Sequence, residues 1–171
     1  KYIFQINSTF RLKMLKTMKV VDKVIENVKI KRLKENAVIP CRATEGSAGA
    51  DLYACINEPV ILAPGKLVKI PTGIAVELAD SNYAVFLFAR SGLGVKHGIT
   101  LANGVGVVDS DYRGEICVGL CNVSDEPYTI QPNERIAQMV IMPVVCAKFT
   151  EVDELSDTAR GSGGFGSSGK L

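Results

Sequence analysis

The stretch that decides the fold reads NGVGVVDSDYRGE and covers residues 103–115. An apolar run leads into a polar turn, and apolar residues alternate with other residues from 116 to 120, which is the pattern of two strands joined by a loop. The sequence therefore predicts a β-hairpin whose tip carries carboxylates, a phenol and a guanidinium. An Asx-type turn, in which short polar side chains bond their own backbone, explains the tip equally well.

Short apolar or alternating runs continue on both sides, from about residue 28 to about residue 152. Turn residues separate these runs, as in the Pro-Gly pair at 64–65 and the Pro-Asn pair at 132–133. No run has the length and period of a long helix. Many short strands with regular turns predict an antiparallel sandwich or barrel. The candidate strands are residues 28–33, 60–62, 67–70, 74–78, 83–88, 116–123 and 137–145.

The composition is that of a folded protein. A chain of 171 residues that is 47% hydrophobic and 22% charged can bury a core without disulfides or metals. No run reaches the roughly 20 apolar residues of a membrane span. The net charge is only +2, and no basic patch is interleaved with aromatic residues. We therefore expect no membrane and no nucleic acid as a partner.

The number and spacing of the cysteines and histidines limit the kinds of catalytic and metal sites that the chain can form. The five cysteines contain no Cys-x-x-Cys pair, which argues against a disulfide framework or a zinc site and predicts a cytoplasmic, reducing compartment. Cys117 and Cys121 should share one face of a strand, where we expect small apolar fillers. His97 is the only histidine. A catalytic triad or metal site built on histidines is excluded, and a structural role for His97 is expected.

The two ends of the chain differ from its middle, which spans residues 28–155. Residues 1–27 are basic and carry apolar residues at helical spacing, so we expect a dispensable amphipathic extension, with organellar or nuclear targeting left open. Residues 156–171 are rich in Gly and Ser and include Arg160 and Phe165. Such a tail cannot pack a core, so it is either a flexible end or a lid that orders on an anionic ligand.

Three segments in the middle offer groups that suit a phosphate or its counter-ion. Arg90 follows an apolar strand and can bind two oxygens at once, and Ser91 adds a neutral donor. Gln138 offers an amide donor, although a turn entering a strand explains its segment alone. Asp51 lies among small residues and could address a hydrated divalent cation.

Taken together and in this order, the five segments resemble the motifs of the all-β trimeric deoxyuridine triphosphate nucleotidohydrolases, the dUTPases. The resemblance covers about residues 28 to 169. It implies a jelly-roll-like β-barrel assembled as a homotrimer, with each active site drawing motifs from three chains. It also implies hydrolysis of dUTP to dUMP and pyrophosphate, which removes dUTP from the nucleotide pool and supplies dUMP for thymidylate synthesis.

The resemblance assigns roles to single residues. Asp109 corresponds to the general base that deprotonates the water attacking the α-phosphorus. Tyr112 corresponds to the ring beneath the deoxyribose, where a ribose 2′-hydroxyl would clash. The uracil edge is assigned to Asn103 and the backbone of Val107, Val108 and Cys117. The phosphates are assigned to Arg90, Ser91, Gly92 and Gln138. The lid is assigned to Arg160, Ser167 and Ser168 over the γ-phosphate, with Phe165 stacked on the base.

The resemblance further implies magnesium as the cofactor, held mainly by the substrate triphosphate and water. Asp51 would then be at most a ligand through water. The other charged motif residues, Asp111, Glu115 and Arg135, are expected to form structural pairs or interface contacts.

Two alternatives to a dUTP hydrolase are carried forward. A dCTP deaminase of the same fold needs a carboxylate at the exocyclic amine of the base, and the Asp-Ser-Asp-Tyr turn and Gly-Gly-Phe-Gly tail disfavour it. A dUTPase-like regulatory binding protein would need no catalysis. Intact Asp109 and Arg160 disfavour that hypothesis, and turnover is the discriminating measurement.

Overall fold

The computed structural model describes residues 28–164, which form eleven β-strands and one short helix. The prediction of an all-β fold is confirmed. The helix, α1, spans Ser91–His97. The strands are β1 (Lys29–Arg32), β2 (Ala50–Tyr53), β3 (Val60–Leu62), β4 (Leu67–Pro71), β5 (Ile74–Glu77), β6 (Tyr83–Phe88), β7 (Ile99–Leu101), β8 (Gly106–Val108), β9 (Cys117–Asn122), β10 (Tyr128–Ile130) and β11 (Arg135–Pro143). The predicted extension at 1–27 and the end of the predicted lid, 165–171, lie outside the described residues.

Antiparallel ladders join these strands into four sheets. The largest has the order β2-β11-β6-β8, a second has the order β4-β9-β7, and the pairs β1-β5 and β3-β10 complete the set. Sheet neighbours are distant in sequence, so the chain crosses repeatedly between sheets, as it does in a jelly roll. In the largest sheet Gln138 of β11 lies opposite Asp51 of β2 and Phe88 of β6. This register brings three of the predicted segments together.

The sheets enclose an apolar core, and strand β9 shows how alternate residues of a strand pack into it. Val118, Leu120 and Asn122 are each 1% exposed, whereas the residues between them are only half-buried. Alternation of this kind places one face of a strand against the core. Cys117 and Cys121 do share a face, as predicted, and it is the half-buried face of β9, opposite the core. All five cysteines are free thiols.

The predicted hairpin over residues 103–120 is wrong. β8 pairs with β6, with Val108 opposite Val85, whereas β9 pairs with β4 and β7. The polar segment therefore connects two different sheets. Period-2 alternation identifies a strand that has one buried face, but it does not identify the neighbouring strand. The loop from 109 to 116 is long enough to cross from one sheet to the other.

Helix α1 is the one helix among residues 28–164, and it is short. It ends at His97 and is capped by Gly98, whose φ of 65° is the left-handed conformation that glycine adopts without strain. Across residues 28–164, no helix has both the length and the apolar character needed to cross a membrane.

Candidate active site

The loop after β8 builds a pocket of about 310 Å³. Its lining unites five of the residues that the sequence assigned to the nucleoside and the attacking water: Val107, Val108, Asp109, Tyr112 and Cys117. Lys69, Glu115 and Ile116 complete the lining. We call this the nucleoside pocket. Asn103 is not among the lining residues; it lies exposed in the turn before β8, where its carbonyl accepts a hydrogen bond of 2.8 Å from the Val105 N–H.

Asp109 occupies the first position after β8 and is exposed. Within residues 28–164, no group donates a hydrogen bond to its carboxylate, and no cation forms an ion pair with it. Both oxygens are therefore open to water. A carboxylate without a competing partner is available to accept a proton.

Tyr112 is fixed by the backbone that follows it. Its hydroxyl donates a hydrogen bond of 3.2 Å to the Glu115 carbonyl. A Cβ atom at Gly114 would overlap the phenol ring, so only glycine leaves room for the ring there. The Tyr112 residue is still 46% exposed, which leaves part of it able to contact a ligand.

The Cys117 thiol belongs to the wall of this pocket. Burial raises its pKa above the usual value, and the negative charge of Glu115 raises it further. The thiol is therefore neutral at physiological pH, and it contributes a small, weakly polar surface.

A second pocket, of about 300 Å³, lies where β2, β11 and the start of α1 meet. It contains the four residues that the sequence assigned to phosphate: Arg90, Ser91, Gly92 and Gln138. Asp51 and a run of small residues, Ala43, Ser47, Ala48 and Gly49, complete it. We call this the phosphate pocket. The residues assigned to phosphate supply a guanidinium, a hydroxyl and an amide, and Ser47 adds a second hydroxyl, a set suited to an anion.

Asp51 holds two arginines in this pocket. Its Oδ1 accepts a bond of 2.9 Å from Arg90 Nε, and its Oδ2 accepts one of 3.2 Å from Arg135 Nη1. Arg90 Nη1 also donates to the Arg135 carbonyl at 3.1 Å. The Asp51 side chain is only 13% exposed. Arg90 Nη2 has no hydrogen-bond partner in the described part of the chain, so the guanidinium is oriented while one edge stays available.

Gln138 is also held in place. Its Nε2 donates a hydrogen bond of 3.1 Å to the Ala89 carbonyl. On the other side, a Cβ at Gly49 would lie 2.8 Å from Gln138 Oε1, closer than such atoms approach. Small residues in the segment before β2 therefore let that backbone pack directly against the amide.

A comparison of the sequence with models of known protein families shows the family of this chain. Residues 35–169 match the family model described as dUTPase. This chain belongs to the dUTPase family. The predicted resemblance is confirmed.

Relatives of the chain carry the corresponding name. It is 58% identical over 132 residues to the deoxyuridine 5′-triphosphate nucleotidohydrolase of Neisseria meningitidis serogroup A, a match covering 77% of this chain and 88% of the relative. It is 55% identical over 139 residues to the enzyme of the same name from Hahella chejuensis, covering 81% and 91%. Among solved structures, the dUTPase of Staphylococcus bacteriophage 80alpha with dUpNHpp has a TM-score of 0.75 and 29% identity, covering 84% of this chain and 99% of that chain. Neither the deaminase nor the binding-protein hypothesis gains support from these matches.

The two pockets of this dUTPase share no lining residue. Arg160 lines neither of them; it is exposed, and its Nε donates a bond of 2.8 Å to the Gly163 carbonyl. Phe165, Ser167 and Ser168 lie outside the described residues. The base and phosphate residues thus form two separate groups, and Arg160, the one assigned lid residue within 28–164, lines neither pocket.

Residues 28–164 contain no group of three or more His, Cys, Asp or Glu residues that could hold a metal ion. The carboxylate nearest to the phosphate donors is Asp51, and each of its oxygens already accepts a bond from an arginine. The role of Asp51 as a ligand through water stays a prediction.

Sequence reasoning missed Lys69 as a pocket residue. It lies in β4, and only the pairing of β4 with β9, which places Lys69 opposite Gly119, brings it to the nucleoside pocket. No local pattern distinguishes this lysine from other strand lysines. Arg135, expected as a structural partner, does form the predicted kind of pair through Asp51.

Proposed function

We propose that this chain is an enzyme that hydrolyses dUTP to dUMP and pyrophosphate. Water attacks the α-phosphorus, a new P–O bond forms, and the bond to the β-phosphate oxygen breaks so that pyrophosphate leaves. The proposal rests on one combination of features in a chain of the dUTPase family. One pocket holds a carboxylate without a partner and a phenol, and a second pocket holds the phosphate donors.

Asp109 is proposed as the general base. The support is its exposed carboxylate without a partner, in the same pocket as Tyr112. It takes the proton of the attacking water as the new bond forms. Because the carboxylate is held at the end of a strand, little reorganisation is needed to position the water.

Tyr112 is proposed to lie beneath the deoxyribose and to reject a 2′-hydroxyl. The uracil edge is proposed to meet the backbone of Val107, Val108 and Cys117, whose residues line the same pocket. Asn103 is proposed to assist them from its exposed turn, on the support of the motif resemblance alone.

The triphosphate is proposed to bind Arg90, Ser91, Gly92 and Gln138. The support is their convergence in one pocket and the fixed orientation of the Arg90 guanidinium. The lid residues Arg160, Ser167 and Ser168 would add donors to the γ-phosphate, and Phe165 would cover the base. Closing such a lid excludes water and aligns the phosphates.

Magnesium is proposed as the cofactor, bound mainly through the substrate triphosphate. The support is the donor set of the phosphate pocket, which has a single carboxylate already bonded to two arginines. When bound, the ion stabilises the charge that develops on the departing pyrophosphate. Asp51 would contact it at most through a water molecule.

A homotrimer is proposed as the active assembly. Beyond β11 the chain runs to residue 164 without strand or helix, and its apolar side chains are left in solvent: Val145 is 93% exposed, Phe149 is 97% exposed and Leu155 is 87% exposed. An exposed apolar arm of this kind is expected to pack on a neighbouring copy. The five free cysteines support a reducing compartment such as the cytoplasm.

Pyrophosphate release from dUTP, UTP, dCTP and dTTP, with and without magnesium, tests the proposal. We expect rapid release from dUTP with magnesium and little from the other three nucleotides. Equal release from all four, or none from dUTP, would contradict it. Analytical ultracentrifugation of the full chain tests the trimer separately.

A further inference from the structure

The loop that carries Asp109 and Tyr112 ends in a segment bonded to the turn between β4 and β5. The Gly73 N–H donates to Glu115 Oε1 at 2.8 Å, and the Ile116 N–H donates to the Ile74 carbonyl at 2.9 Å. The Thr72 N–H and hydroxyl both donate to the Ile116 carbonyl. Thr72 is only 1% exposed, so this anchor belongs to the core.

Glu115 connects this anchor to Tyr112. Its side chain accepts the bond from the core turn, while its own carbonyl accepts the Tyr112 hydroxyl at 3.2 Å. The phenol ring lies against Gly114, one of the two residues between Tyr112 and Glu115. The position of the ring therefore depends on the backbone at 114–115, and the Glu115 carboxylate, together with the backbone bonds of Ile116, holds that backbone to the core.

The negative charge of Glu115 calls for a structural explanation, because Glu115 lines the nucleoside pocket. A carboxylate beside a site for a polyanionic nucleotide is electrostatically unfavourable. Its only ion-pair partner in the described chain, Lys34, lies 3.9 Å away and is 46% exposed, so that pair contributes little. The Gly73 N–H is the close, partly buried partner, which indicates a role in holding the loop.

We propose that Glu115 is a positioning residue for sugar selection. By accepting the Gly73 N–H, it fixes the carbonyl that holds the Tyr112 hydroxyl, and so it sets the preference for dUTP over UTP. This inference rests on the proposed function. It replaces the expectation that Glu115 forms only a structural pair.

The test compares kcat and KM for dUTP and UTP in the full-length wild type, Glu115→Ala and Glu115→Gln. Glu115→Ala should lower the ratio of kcat/KM for dUTP to that for UTP by about tenfold, the scale of one hydrogen bond to a charged group. Glu115→Gln keeps a side-chain acceptor and should restore most of the ratio.

Asn122→Ala is the matched control for lost stability. Asn122 is buried in β9, where it donates to the Leu62 and Glu126 carbonyls, and it lines neither pocket. Its substitution should lower the melting temperature at least as much as Glu115→Ala while leaving the nucleotide ratio unchanged. Tyr112→Phe, at a half-exposed residue, tests the hydroxyl contact should Glu115→Ala fail to fold; it too should lower the ratio.

Three results would overturn the inference: an unchanged ratio in Glu115→Ala or Tyr112→Phe, an equal fall in Asn122→Ala, or a ratio in Glu115→Gln as low as in Glu115→Ala. These results are distinct from a failure of the proposed function. If wild type releases no pyrophosphate from dUTP, the function itself is wrong; if it does and the ratios do not move, only the role of Glu115 is wrong.

Discussion

Replacing Asp51 by asparagine should weaken triphosphate binding through the arginines that Asp51 holds. Asparagine keeps the shape but loses the charge, and its amide nitrogen cannot accept from Arg90 or Arg135. The Arg90 bond is the stronger, because the two side chains are 25% and 13% exposed, whereas the Arg135 side chain is 49% exposed. A charge-assisted bond of the first kind contributes about 1.5–3 kcal/mol, and an exposed pair of the second kind adds less than about 1 kcal/mol.

If most of that free energy orients the Arg90 guanidinium, kcat/KM for dUTP should fall roughly 10- to 100-fold, at about 1.4 kcal/mol per factor of ten. Calorimetry with a non-hydrolysable dUTP analogue and with deoxyuridine should give a large loss of affinity for the first and none for the second. Asp125→Asn, which changes the same charge at an exposed residue outside both pockets, is the control.

The same variant separates two roles for Asp51. If Asp51 acts through the arginines, raising the magnesium concentration should not relieve the defect. Relief by magnesium would assign Asp51 to the ion instead, as a ligand through water. Unchanged kcat/KM for dUTP would refute both roles.

Three further outcomes are expected. Asp109→Asn should lower kcat at least about 100-fold with little change in melting temperature or analogue affinity; comparable turnover at neutral pH would remove Asp109 as the base. Deleting residues 160–171 should lower kcat while sedimentation and melting stay unchanged, and full activity would reject the lid. Burial and the bond to Glu134 raise the pKa of Tyr128 to about 12, so its stabilising contribution is complete below about pH 10 and is lost as pH rises toward about 12; in pH-dependent unfolding, Tyr128→Phe should lose less stability over that interval than wild type.

Strands whose apolar residues are clearly bounded were predictable from the sequence. β6 and β3 begin and end at the predicted residues, because their apolar residues are bounded by polar ones or turns. β11 was predicted two residues too late. It begins at the polar Arg135, where the register shifts before Ala137, and it ends at Pro143, which has no N–H for a ladder.

Several other short elements gave too little pattern to predict. β7 and β10 have three residues each, which is too short a run for an alternating pattern to be recognised. Helix α1 contains Gly92 and Gly94 among its seven residues, and glycine is a poor helix former. His97 therefore lies at a helix end rather than in a loop. There its ring packs against Tyr128 with centroids 5.0 Å apart, in agreement with a structural role.

For the candidate site, single residues were predictable from the sequence, whereas the contacts between them were not. Local motifs predicted Asp109, Tyr112 and Arg90 as site residues, because each follows the end of an apolar run, and they predicted Gln138 as an amide donor in a segment that follows a turn. Their connections were not predictable, since Asp51 meets arginines 39 and 84 positions away. Such pairs follow from sheet order and register, which a single sequence does not specify.

The separation of the two pockets bears on which chains complete one active site. Asp109, the proposed general base, lines one pocket and the proposed phosphate donors line another, with no residue in common. If each site takes Asp109 from one copy and Arg90 from the next, Asp109→Asn and Arg90→Ala chains should complement each other. Random mixing of equal amounts in a cyclic trimer leaves about one site in four with both residues intact, so roughly a quarter of wild-type activity should return after the two inactive variants are unfolded and refolded together. Each variant refolded alone is the control. If both residues served a site within one chain, no mixture would contain an intact site, and a mixture as inactive as its components would refute the shared site.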